Sequence, residues 1–358
     1  MRAFIIAEAG VNHNGSLELA LRLVDTAADA GADAVKFQTF RAVELATQQA
    51  QKADYQLRTT SADEGQFEMI RKLELSEEMH VAIVEHCKKR GIQFLSTPFD
   101  SASLRMLIER FGLQTIKLSS GDITNAPLLV DAARSAPHVI LSTGMCGLKE
   151  VEAALGALAF GFTATESAAP GAAAFGAAYA SGTGQQALRD RVTLLHCTTE
   201  YPAPLQEVNL RAMDTLAKAF ALPVGYSDHT EGIHVAVAAV ARGARMLEKH
   251  FTLDRTLPGP DHKASLEPDE LTQMVTATRQ IETALGDGVK RPTASEWANR
   301  QIARKGIVAA RAISKGEAFS AGNLAVKRPA SGRSPFEYWD LIGRKAKHSY
   351  APDDPVDG

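Results

Sequence analysis

Eight times between residues 4 and 251 the chain repeats one unit, a short run rich in Val, Ile, Leu and Phe that breaks off in polar side chains. The runs are FIIAEAG (4–10), AVKFQTF (34–40), QFLSTPFD (93–100), TIKLSSGD (115–122), HVILSTG (138–144), VTLLHCT (192–198), PVGYSDH (223–229) and RMLEKHF (245–251). Between them apolar residues recur at helical spacing. In 16–31, Leu17, Leu21, Val24 and Ala28 share a stripe that Gly31 can cap, and 76–91 opens on Ser76 and acidic residues and closes on basic ones. Strand then helix, eight times over, predicts a closed (β/α)8 TIM barrel. An open doubly wound sheet is the weaker alternative, because no GxGxxG follows the first run.

Two stretches break the rhythm. Residues 161–190 are rich in Ala, Gly and Ser and read as a mobile insertion in a barrel domain spanning 1–285. After a long helical pattern (267–288), residues 286–299 read as a linker, and 300–358, with short strand-like runs and turns, as a small β-rich domain. The formal net charge of −3 offers no general attraction to nucleic acid or to an anionic membrane, so an anion must be gripped by a local cluster. No apolar run reaches the length of a membrane span, and the expected compartment is the cytoplasm. Cys87, Cys146 and Cys197, odd in number and widely spaced, read as reduced core thiols.

A parallel strand buried on both faces should be nearly all apolar, so polar endings on eight strands imply a ring of functional groups at the C-terminal rim. The ring comprises Glu8; Lys36 and Gln38; Ser96 and Thr97; Lys117, Ser119 and Ser120; Ser142 and Thr143; His196 and Thr198; Ser227, Asp228 and His229; and Glu248 and His250. Two lysines beside serine hydroxyls suit a phosphate or carboxylate; the blander alternative is that Lys36 and Lys117 only neutralise Glu8, Glu248 or Asp122. His229 and His250, 21 residues apart and each close behind a carboxylate, suit a catalytic divalent metal with open positions for water and substrate; whether His196 joins them stays open.

The motifs IIAEAGVNHNG, AVKFQT, FLSTPFD, KLSSGDITN, LSTGM, LLHCTTEYPAP, GYSDHTEG and EKHFTLDRTLPGPDHKASLEPDEL together resemble the bacterial N-acetylneuraminate (sialic acid) synthases, and KGEAFSAGNLAVKRP resembles their antifreeze-like SAF (β-clip) domain. The resemblance implies condensation of phosphoenolpyruvate with N-acetylmannosamine and water to give N-acetylneuraminate and phosphate. It implies Mn2+ on His229 and His250. Lys36, Gln38, Lys117, Ser120, Ser142 and Ser227 would hold phosphoenolpyruvate, with Thr97 at its carboxylate, and Glu8 and Glu248 would flank the reacting carbons. Tyr201, Asp122 and Asp261 would meet the acceptor, an N-acylated hexosamine. Arg328 would reach the N-acyl group from the partner subunit of a domain-swapped homodimer. Two positions depart from the family pattern: SGD stands where its members have SGE, and Thr199 where a relative has asparagine. The alternative acceptor is a 2,4-diacetamido-2,4,6-trideoxy hexose, which would make the chain a legionaminate-type synthase. Readings from other classes are a metal-dependent hydrolase and a non-catalytic sugar-binding protein.

Overall fold

The computed structural model describes residues 2–60 and 64–357. Its first compact unit, Met1–Gly286, contains eight parallel strands: β1 Phe4–Gly10, β2 Ala34–Thr39, β3 Gln93–Pro98, β4 Thr115–Leu118, β5 His138–Ser142, β6 Val192–His196, β7 Val224–Asp228 and β8 Met246–His250. They pair in the order β3-β2-β1-β8-β7-β6-β5-β4, and β4 lies against β3, so the sheet closes on itself. The predicted barrel is the observed one. Each strand alternates its side chains between two environments. Ile5, Val35, Phe37, Ile116, Leu141, Leu194 and Leu247 face outward into the large apolar layer beneath the helices. Ile6, Ala34, Leu95, Ile140 and Leu195 face inward and fill the barrel with an apolar plug bordered by Phe4 and Met246.

Local chemistry sets the helix ends. Ser16 caps Leu17–Asp29 by accepting from the Leu19 backbone N–H, and Ser76 caps Glu77–Arg90 by accepting from that of Met79. Gly91 closes the latter helix with φ +70°, a conformation a Cβ would penalise. The buried face of the first helix is Ala20, Leu23, Val24 and Ala27, with Leu17, Leu21 and Ala28 along its border, so the stripe read from the sequence is rotated by about one position.

Residues 161–190 differ from expectation. They continue a helix, Leu148–Thr163, and then form Ala172–Ala180 and Gly182–Arg191, with Phe175 edge-on to Phe160 at 5.4 Å between ring centroids. Alanine is the strongest helix former, but an all-alanine surface carries no amphipathic period to read. Among the described residues, the segment after β2 forms the short helices Ala42–Leu45, Asp54–Thr59 and Gln66–Arg71.

The second unit, Asp287–Gly358, has its own core, in which Ile307, Ile313, Phe319, Leu341 and Val356 are buried. An antiparallel pair, Gly306–Ala309 (β9) with Leu324–Lys327 (β10), is its regular sheet. Part of the stretch expected as a linker is the helix Ala294–Ala303, capped by Thr293 and Glu296, and it groups with this unit. Among the described residues no helix is long and apolar enough to cross a membrane.

Candidate active site

Two residues beyond the apolar plug, toward the C-terminal ends of the strands, the barrel interior turns ionic. Glu8 of β1 meets Lys36 of β2 at 2.7 Å, Lys36 also donates to the Thr97 hydroxyl of β3 at 3.0 Å, and its ammonium lies 3.7 Å from Glu248 of β8. Lys117 of β4 stands 3.4 Å from the other oxygen of Glu248, which accepts a hydrogen bond from Ser227 of β7 at 2.8 Å. The four charged side chains are at most 4% exposed as residues. Ionised groups in such a place persist only when paired, so charge ties four strands together at the barrel mouth, and the Thr97 and Ser227 hydroxyls join two more to them. The lysines do neutralise the two glutamates, as the blander alternative has it. They also face a cavity of about 340 Å3 together with Gln38, Ser120, Ser142, Tyr201, His229 and His250, so pairing and availability to a ligand coexist.

The two carboxylates are driven apart electrostatically. Burial pushes Glu8 up from the usual range, an effect Lys36 offsets and Glu248 reinforces. Burial works on Glu248 in the same sense, but Lys117, Lys36 and the Ser227 hydroxyl outweigh it and hold this group low. Burial opposes the charge on Lys36, while Glu248 and Glu8 restore it and raise its pKa. One carboxyl inclined to keep a proton beside another held ionised is the arrangement that divides acid and base roles.

The histidines sit at the next level. His229 Nδ1 donates to the Thr198 carbonyl at 2.6 Å, and because a carbonyl only accepts, this assigns the tautomer and leaves the proton off Nε2. Nε2 lies 3.3 Å from Ser227 Oγ, whose proton is committed to Glu248, so the nitrogen lone pair is unspent. Burial lowers His229 to about 4 and, with His229 as neighbour, holds His250 well below its ordinary value, so both rings are neutral. Their centroids are 5.8 Å apart, and the Tyr201 ring lies 4.2 Å from that of His229. His250 Nδ1 is buried without a hydrogen-bond partner, the nearest carboxylate, Asp261, being 3.8 Å away. Gly10 makes room here: a Cβ would sit 3.3 Å from both Glu8 Oε1 and the His250 ring, at a φ of +51° that disfavours other residues.

Most of the residues picked from the sequence share this cavity; of those in the first unit, two do not line it. Asp122 sits aside and accepts from Asn125 at 3.2 Å; Asp261 is buried 3.8 Å from His250 Nδ1, with burial raising its carboxyl to about 6; Arg328 belongs to the second unit, exposed just past the end of β10. Strand parity corrects the expected ring. Ser96 faces outward, bonded to Thr39 at 2.6 Å, and Asp228 faces outward in a fully buried pair with Lys249 at 2.9 Å. His196 also turns outward, hydrogen-bonded to the Val208 carbonyl at 2.8 Å, and so does not join the other imidazoles. Among the described residues no group of three or more His, Cys, Asp and Glu side chains is placed to hold a metal ion. Cys197, expected as a core thiol, lines the cavity 3.2 Å from Ser120 Oγ. Alternation from Leu195 could have located it. The apolar lining from Phe40, Leu45, Met69, Ile70 and Phe99 carries no sequence signal that separates it from ordinary core.

Residues 23–290 match the NeuB family and residues 304–358 the SAF domain. The N,N'-diacetyllegionaminic acid synthase of Campylobacter jejuni is 50% identical over 99% of both chains. That of Legionella pneumophila is 45% identical over 96% of this chain and 90% of its own. Among solved structures, the N-acetylneuraminic acid (sialic acid) synthetase of Leptospira borgpetersenii in complex with citrate superposes with a TM-score of 0.65 at 36% identity, covering 84% of this chain and 90% of that one. The buried lysine–glutamate mouth and its two neutral imidazoles are therefore the interior of a barrel that belongs, with its C-terminal SAF domain, to the NeuB family.

Proposed function

We propose that this protein is a legionaminate-type nonulosonate synthase, condensing phosphoenolpyruvate with a 2,4-diacetamido-2,4,6-trideoxy hexose and water to give the nonulosonate and phosphate. The observation that carries the acceptor is the identity of 50% over nearly the whole chain to a diacetyllegionaminic acid synthase, against 36% to the sialic acid synthetase. The N-acetylneuraminate product read first from the sequence gives way to this alternative. Lys36 and Lys117, with Gln38, Ser120, Ser142, Ser227 and Thr97, form the one lysine-rich part of the cavity and suit the phosphate and carboxylate of the donor. Fixing both substrates there makes carbon–carbon bond formation effectively intramolecular. Glu248, held ionised, can stabilise positive charge developing at C2 of the donor, and Glu8, inclined to hold a proton, can exchange one with the attacking water or departing phosphate.

The donor set fits a divalent ion such as Mn2+. His229 donates its Nδ1 proton to a backbone carbonyl, as metal-ligating histidines commonly do, and keeps a lone pair on Nε2, while His250 has a buried nitrogen without a partner. His229 and His250 would hold the ion, and when bound it would act as a Lewis acid toward the acceptor's aldehyde oxygen. Tyr201, with its ring beside that of His229, would orient the sugar; Asp261 and Asp122, both outside the lining, are the weaker contacts. The same reading extends to a homodimer in which Arg328 meets the acyl group bound by the partner copy. The decisive experiment measures phosphate release with phosphoenolpyruvate and each sugar in turn. The diacetamido sugar should be preferred, EDTA should abolish release, and R328A should raise KM for the sugar alone. Preference for N-acetylmannosamine would overturn the acceptor, and sugar-independent phosphate release would point to a hydrolase.

A further inference from the structure

The cavity has two chemically opposite sides. Its floor carries Glu8, Lys36, Lys117 and Glu248, whereas the side contributed by Phe40, Leu45, Met69, Ile70, Leu73 and Phe99 is apolar, its polar members being the amides Gln56 and Gln66. That apolar side is one edge of a small separate cluster. Val11, Phe40 and Leu73 are its buried centre, and Leu45, Ile70 and Phe99 pack around them only partly buried, so part of each is left to the cavity.

Such an edge needs an occupant of matching chemistry. Phosphoenolpyruvate carries a phosphate and a carboxylate, both suited to the lysines and neither to an apolar wall. The wall is therefore left to the second substrate, and specifically to a part of it without hydroxyls, because a hydroxyl pressed against Leu45 and Ile70 would lose its bonds to water without replacement. N-acetylmannosamine offers one methyl, on its 2-acetamido group, and hydroxyls at C4 and C6; the diacetamido trideoxy sugar replaces these with a second acetamido methyl and a terminal methyl group. Resting on the synthase reading above, we infer that Leu45, Ile70 and Phe99 form the specificity wall that receives the deoxygenated, methyl-bearing end of the acceptor. These are specificity-determining residues; the charged floor carries the chemistry common to related acceptors.

The test compares kcat/KM for the 2,4-diacetamido-2,4,6-trideoxy hexose with that for N-acetylmannosamine, in the full-length protein and in I70Q and L45Q. A single methyl-sized contact in an apolar pocket is worth roughly 10- to 200-fold in discrimination, so the ratio should fall at least about tenfold in each variant while KM for phosphoenolpyruvate stays within about twofold. Both side chains lie at the edge of their cluster, and should one variant misfold by circular dichroism the other is read alone. If the unaltered protein prefers the diacetamido sugar and the ratio does not move in the folded variants, the wall inference falls and the acceptor assignment stands. If the unaltered protein prefers N-acetylmannosamine, both fall. A parallel rise in KM for phosphoenolpyruvate would also overturn the inference, since the residues would then act on the whole cavity.

Discussion

The barrel interior contains two layers separated by a single step of two residues, and they obey opposite rules. Along β1 the inward positions run Ile6 then Glu8; along β2, Ala34 then Lys36; along β3, Leu95 then Thr97; along β5, Ile140 then Ser142; along β8, Met246 then Glu248. Roughly 7 Å of strand separates them. Both layers are shielded from water. In the lower one that shielding stabilises the fold directly, at about 25 cal/mol for each Å2 of apolar surface removed. In the upper one it penalises every charge, and Lys36 and Lys117 offset the penalty only because Glu8 and Glu248 face them. The strands thus hold themselves together below and keep reactive groups under electrostatic tension above.

The strongest way to break this contrast is to make the upper layer resemble the lower one. Lys36→Met should cut turnover roughly a thousandfold, because it removes a preorganised cation that no other residue can replace. It should also destabilise the protein by about 3 kcal/mol, since a buried carboxylate is left uncompensated. That loss should shrink below neutral pH, where Glu8 takes up a proton: its folded pKa is raised, so its penalty grows as pH rises through that value. The double variant Glu8→Leu/Lys36→Met should recover stability without recovering activity. Urea unfolding at two pH values and phosphate release read these outcomes, and near-normal turnover in Lys36→Met would end the comparison.

The converse change sharpens it. Leu195→Ala in the plug should cost about 2–5 kcal/mol in urea unfolding through the lost burial and the cavity left behind, while turnover per folded molecule changes far less. A change in turnover as large as that of Lys36→Met would mean that the layers are not separable.

The last comparison, in which a single variant should change least at neutral pH, concerns buried imidazoles at and away from the mouth. Burial lowers His13, His229 and His262 to about 4, so all three are neutral when folded. Between about pH 6.5 and 4 the unfolded chain binds more protons than the folded one, and stability should fall with falling pH by up to about 1.4 kcal/mol per pH unit for each histidine. His13→Gln should flatten that slope, read relative to the variant's own stability at neutral pH. An unchanged slope would place the acid sensitivity in other groups.

Much of this fold is legible along the chain because parallel strands buried on both faces must be short, apolar runs, and the barrel strands end within two or three residues of the polar terminations read from the sequence. Helix starts at Ser16 and Ser76 were equally plain, since a cap is a local hydrogen bond. Other elements were not. The alanine-rich stretch hid its helices for want of a polar face, and the helix Ala294–Ala303 passed for a connector because it buries none of its residues. At the rim, counting polar residues overstated the ring: Ser96, His196 and Asp228 sit on outward positions, and Asp228 with Lys249 turned out to be a buried strut beneath the helices.

The sequence by itself determined which strands would end in chemistry, for every lysine, glutamate and imidazole of the mouth stands at the close of an apolar run. Only the tertiary structure decided how those groups divide the work. Charge partners come from strands that lie far apart in the chain, and the same burial raises Glu8 while two lysines hold Glu248 low. A carboxyl's affinity for its proton depends on the charges within a few ångströms of it, and those neighbours exist only once the barrel has closed.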